Sequence, residues 1–125
     1  MRNFFYYSIF LLTFLTISRL IPHPPNFTPI IASSIVFPYF LKDKLIGLAI
    51  PIIAMFISDL FIGFHPYQFV IYLTLITISL ISTTSKNYFL FFSLSIIGSV
   101  WFFITTNFAV WLIWDFYEKN IDGLI

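Results

Sequence analysis

The residue that most needs an explanation is Asp59. It lies in the stretch 50–64, which carries no other charge and, beside it, only Ser58 and the terminal His65 as polar neighbours. A carboxylate inside an apolar run is costly unless it is paired, protonated or facing a water-filled cavity. Two readings stay open: an interfacial Asp that caps or snorkels, or a cavity-facing group that binds a ligand or pairs with Arg19. Arg19 closes the first apolar segment. It is an interfacial anchor, the partner of Asp59, or a clamp for an anionic ligand, because its planar fork matches carboxylate or phosphate. His23 and His65, with Asp59, are side chains of the kind that hold zinc, nickel or cobalt. Their spacing fits no local metal motif, so no metal site is expected. Asn107 sits within 101–114 and suits an interhelical amide bond or a ligand contact. Asn26 follows Pro25 and precedes an apolar segment, the place of a helix N-cap.

Other chemistries are excluded by what the chain lacks. It has no cysteine, so thiolate metal sites, cysteine nucleophiles and disulfides are out. It has only four glycines, no phosphate-cradling glycine loop, no His-Glu-x-x-His and no Gly-x-Ser-x-Gly. One acidic residue within an apolar segment is too few for an intramembrane protease. The chain therefore reads as a non-enzyme with no cofactor. Its net charge of +1 offers no footprint for nucleic acid.

The elements that position these residues follow from composition. Of 125 residues, 60% are hydrophobic and 9% charged, with a mean hydropathy of +1.00. Soluble domains carry about 25% charged residues, so this chain has too few to cover a water-facing surface. Apolar segments fall at about 4–20, 27–41, 45–64, 69–82 and 88–114. About 20 residues span a bilayer core as a helix. The segments are apolar on all sides rather than at alternate positions, which selects helices over a barrel. The expectation is an all-α transmembrane bundle of about five helices in one domain, with the lipid bilayer as its first partner. The first segment lacks a small-x-small cleavage site after it and is read as a retained helix.

Orientation comes from the basic residues. With the N-terminus in the cytoplasm, the inner connections carry Arg2, Lys42, Lys44 and Lys86, and the outer ones Arg19 and Lys119. The positive-inside rule favours this arrangement in the cell inner membrane. Arg19, the proline-rich stretch around His23 and Asn26, Asp59, His65 and Asn107 then gather toward the outer face. Trp111, Trp114 and Tyr117 fit an aromatic belt there.

Three stretches also carry a family resemblance. They are Arg19-Leu-Ile-Pro-His-Pro-Pro-Asn-Phe-Thr-Pro29, Pro51-Ile-Ile-Ala-Met-Phe-Ile-Ser-Asp-Leu-Phe-Ile-Gly-Phe-His65, and Thr106-Asn-Phe-Ala-Val-Trp-Leu112 followed by Tyr117-Glu-Lys-Asn-Ile-Asp-Gly-Leu124. Together they resemble an uncharacterised family of bacterial integral membrane proteins similar to the substrate-binding S components of energy-coupling-factor (ECF) vitamin transporters. The resemblance implies a six-helix bundle, so that this chain is short by its last helix. It implies capture of a small nutrient on the outer face, with Arg19, His23, Asn26, Ser58, Asp59 and Asn107 as binding residues. It also implies a transmembrane and ATPase module as partner. The first helix departs from the S-component pattern, since 4–20 contains no alanine for docking on such a module.

The expected function is therefore uptake of a small, vitamin-like nutrient. Two other classes remain: a structural or assembly subunit whose polar residues only join helices, and a divalent-metal permease using His23, His65 and Asp59.

Overall fold

The computed structural model describes residues 2–22 and 29–124. It consists of helices α1 (Arg2–Leu20), α2 (Ile30–Phe40), α3 (Lys44–Ile62), α4 (Gln68–Thr83), α5 (Tyr88–Ile113) and a single-turn α6 (Ile121–Leu124). No strand occurs among the described residues. The five expected segments are all helical, and α6 is an addition that the polar tail did not announce.

Three helices, α1, α3 and α5, are long and apolar enough to cross a membrane. The other two are shorter. α4 has 16 residues, and α2 has 11, only about 16 Å of helix. α2 begins at Ile30, with Pro29 at its N-cap position and no side-chain cap bond. The N-cap expected of Asn26 is thus three residues too early, and Asn26 itself lies outside the described residues. Asp43 and Asn87 do cap helices: Asp43 Oδ1 accepts from the N–H groups of Leu45 and Ile46, and Asn87 Oδ1 from that of Leu90.

α2, α3 and α4 form the centre. α1 packs on α3, and α5 packs on α4 and α2. The core joins Leu15, Ile30, Ile50, Ala54, Met55 and Leu75, and a second cluster joins Ile35, Ile78 and Phe91. Serines and threonines occupy the interior as well: Ser33, Ser34, Ser58, Thr74, Ser79 and Ser82 are all buried. The outer surface carries most of the large apolar side chains, such as Phe10, Phe61, Phe89 and Phe103. This inside-out distribution suits helices packed in lipid, where close approach and interhelical hydrogen bonds hold the bundle together.

Two contacts show how. A Cβ on Gly47 would lie 2.7 Å from Phe37 O and 2.9 Å from Pro38 Cα, so only glycine lets α3 lie this close to the α2 backbone. Pro38 lacks an N–H and leaves the carbonyl of Ser34 without its helical donor. Ser79 Oγ on α4 donates to that carbonyl at 2.8 Å, and Ser82 Oγ donates to Ile35 O at 2.5 Å. α2 therefore runs through its proline, because the neighbouring helix supplies the missing hydrogen bond.

Candidate functional site

α1 and α3 run in parallel, because α2 returns between them. Their last turns consequently meet, and Arg19 reaches Ser58 and Asp59. Arg19 Nη1 donates to Asp59 Oδ1 at 2.5 Å, to Ser58 Oγ at 2.8 Å and to Met55 O at 3.2 Å. Ser58 Oγ in turn donates to Met55 O at 2.8 Å. The side chain of Asp59 is 1% exposed and that of Arg19 15%. Of the two readings of Asp59, interfacial or paired, the geometry supports the paired one.

α4 completes the cluster. Gly63 ends α3 with φ at 103°, and its N–H donates to Asp59 O at 2.8 Å. That backbone conformation is one side chains rarely adopt. The chain turns here and re-enters the bundle at Gln68. Gln68 Nε2 donates to Asp59 Oδ2, and its Oε1 accepts from the backbone N–H of His65. One turn further on, Tyr72 Oη donates to Asp59 Oδ2 at 2.6 Å. Gln68 and Tyr72 stand at positions i and i+4, one face of the helix. The carboxylate is thus held by donors from α1 and α4 while it belongs to α3.

Sequence reasoning did not single out Gln68 or Tyr72. Gln68 opens an apolar segment and looks like a boundary residue, and Tyr72 looks like one more aromatic. Their i, i+4 spacing is the signal that was available.

The other expected site residues lie elsewhere. His23 and Asn26 fall outside the described residues. Asn107 is exposed, and its amide donates to Phe103 O of its own helix at 2.7 Å. Among the described residues no hydrogen bond joins it to the Arg19–Asp59 cluster. It borders instead a cavity of about 200 Å³ walled by Val110, Trp111, Tyr117, Gly123 and Leu124. His65 is exposed and stacks on Tyr67 at 5.7 Å. Tyr67 meets Trp114 edge-on at 5.8 Å, and Trp114 meets Phe116 at 5.7 Å. Among the described residues no three His, Asp or Glu side chains gather as a metal site.

The cluster is therefore a charged clamp across three helices. A family model matches residues 1–125, the full length given. The chain belongs to DUF6580, a family of unknown function. No curated protein and no solved structure matches it. What this DUF6580 member does must accordingly be argued from its own residues.

Proposed function

We propose that this DUF6580 protein is a multi-pass protein of the cell inner membrane, with a cytoplasmic N-terminus, that captures a small vitamin-like nutrient at its extracytoplasmic end for uptake. The observation that carries this reading is the clamp of Arg19, Asp59, Gln68 and Tyr72 within apolar helices. Ionisable groups buried within membrane helices are rare and tend to mark substrate paths. Supporting it is α2, short and proline-containing, since interrupted segments often line transporter binding sites. The distribution of charge supports the orientation. One end bears four basic residues, Arg2, Lys42, Lys44 and Lys86, and the other only two, Arg19 and Lys119. Energy coupling through an ECF-type module belongs to this proposal on the strength of the resemblance alone.

A second reading, an assembly subunit, is favoured by a specific observation. Both oxygens of Asp59 are already met by protein donors, which is what a purely structural clamp requires. The metal permease has less support, because Asp59 is engaged and the His65 ring stacks on Tyr67.

Equilibrium binding of a set of candidate vitamins to the purified protein, with thermal unfolding in detergent, tests the proposal. Uptake predicts that one compound binds, raises the unfolding temperature, and loses its effect in Asp59→Asn and Arg19→Lys. If no compound binds and the substitutions only lower stability, the assembly reading replaces it.

A further inference from the structure

At the opposite end of the bundle from the clamp, a cavity of about 790 Å³ opens between the first turns of α1 and the α2–α3 turn. Its walls are Phe4, Phe5, Tyr7, Ser8 and Ile46, with Lys42 and Asp43 at the turn. Most of this wall is apolar, which suits hydrocarbon rather than a soluble solute.

The polar groups around it are unequally committed. Lys44 Nζ donates to Tyr39 O at 2.6 Å and stands over the Tyr39 ring. Asp43 is occupied as the cap of α3, and its negative charge faces the N–H groups of that first turn. Ser8 Oγ donates to Phe4 O at 3.0 Å. Lys42 makes no hydrogen bond or ion pair among the described residues and is exposed. Tyr7, also exposed, likewise keeps its hydroxyl free of partners among them. A free ammonium and a phenol thus edge an apolar cleft at the end of the molecule that carries four of the six basic residues.

From this we infer that the cleft is a binding site for an anionic phospholipid, with acyl chain against Phe4, Phe5 and Ile46 and phosphate headgroup against Lys42 and Tyr7. The charge complementarity decides the occupant. The cytoplasmic leaflet is the one rich in anionic lipid, and basic pockets between membrane helices on that side hold such headgroups. A zwitterionic lipid carries its own cation beside the phosphate and so gains less from the unpaired lysine, and a soluble anion has no use for the aromatic wall. This site is separate from the clamp; it rests on the cytoplasmic orientation proposed above and not on the uptake reading.

Native mass spectrometry of the full chain, delipidated and then equilibrated in mixed micelles with equimolar phosphatidylglycerol and phosphatidylcholine, tests it. Phosphatidylglycerol is expected to be retained preferentially. Lys42→Gln should cut that preference about five-fold, the weight of one lysine at an anionic surface. Lys42→Arg should keep it, and Lys86→Gln, whose residue is exposed outside the cleft, should leave it unchanged. Lys42 is an exposed turn residue, and circular dichroism verifies that its variants fold. Equal retention of the two lipids overturns the inference, because the cleft then holds any acyl chain. So does an equal loss in Lys42→Gln and Lys86→Gln, which marks a diffuse surface charge. Displacement of the lipid by inorganic phosphate at millimolar concentration also overturns it, since the charge alone is then what binds.

Discussion

Removing the acceptor at the centre of the clamp gives the sharpest test of the fold. Asp59→Ala leaves the Arg19 guanidinium, the Gln68 amide and the Tyr72 hydroxyl without the carboxylate that all three address. Breaking one side of a buried ion pair costs about 3–5 kcal/mol. The 15% exposure of the Arg19 side chain lets water recover part of the loss, so a cost near ~3 kcal/mol follows. Arg19→Met should cost at least as much, because the carboxylate it strands is 1% exposed. The double variant Arg19→Met with Asp59→Ala removes both charges and leaves two neutral donors, Gln68 and Tyr72, to satisfy at about 1–3 kcal/mol each. Tyr72 is only part-buried, so the double should cost about 2–4 kcal/mol, below the roughly 6 kcal/mol sum of the singles, and the coupling energy of the cycle should be about 2 kcal/mol or more. Unfolding by denaturant in bicelles, followed by tryptophan fluorescence, measures all four proteins. Ordinary interhelical hydrogen bonds in membranes average only ~0.6 kcal/mol. If Asp59→Ala costs that little, or if the double variant costs the sum of the singles, the pair is not coupled and the clamp is not what fixes α1.

Gly47→Ala should destabilise by about 2 kcal/mol, because its methyl would lie 2.7 Å from the backbone of α2. Gly98→Ala, whose methyl meets only flexible side chains, Ile78 at 3.3 Å and Ile35 at 3.8 Å, should change stability by less than ~1 kcal/mol in the same assay. Gly63→Ala meets no neighbour, yet its φ of 103° should cost about 1–3 kcal/mol and loosen Gln68 and Tyr72 from Asp59, read as faster amide exchange at the start of α4. The chain has no cysteine, so cysteines at the exposed positions 86 and 120, Lys86→Cys and Asn120→Cys, report orientation directly. An impermeant maleimide added to intact cells should label Asn120→Cys and spare Lys86→Cys, and the reverse pattern would invert the topology.

The pairing of Arg19 with Asp59 was legible because each charge interrupts an apolar run, and a bilayer gives such residues few alternatives. The alternation of spans already places both at one end of the bundle; that α1 packs directly on α3 was not legible, because no local pattern says which helices touch. The apolar pattern spans 27–41, but α2 occupies Ile30–Phe40 and passes through Pro38. The compensating hydroxyl of Ser79 lies 45 residues away in sequence, where local rules do not look. Asn107 was placed with the site because it is polar within an apolar helix. Thr105, which bonds Thr74 at 3.2 Å, marks the face of α5 toward α4. Two residues later a helix has turned by about 200°, so Asn107 looks away from that contact. The last turn, α6, escaped notice because its supports are local and unusual. Lys119 Nζ donates to the carbonyls of Trp111 and, at 2.8 Å, of Trp114, while Asn120 Oδ1 accepts from the N–H of Gly123.

The clamp also bears on how capture and structure are linked. Within lipid, apolar contact alone gives helices no strong reason to associate. α1 packs on α3 along a stripe that includes Leu11, Leu12 and Leu15, of which only Leu15 is fully buried. The bonds from Arg19 Nη1 are therefore a large share of what fixes α1 in register. A ligand whose carboxylate or phosphate competes with Asp59 for that guanidinium necessarily loosens α1 from α3, and one that adds to the guanidinium without displacing Asp59 tightens it. Under the uptake reading, binding at the outer end and the seating of the first helix are thus one equilibrium. Under the assembly reading the same bonds simply have no competitor. The sign of the change in α1 protection on ligand binding separates displacement from addition, and no change at all with any ligand leaves the clamp as structure alone.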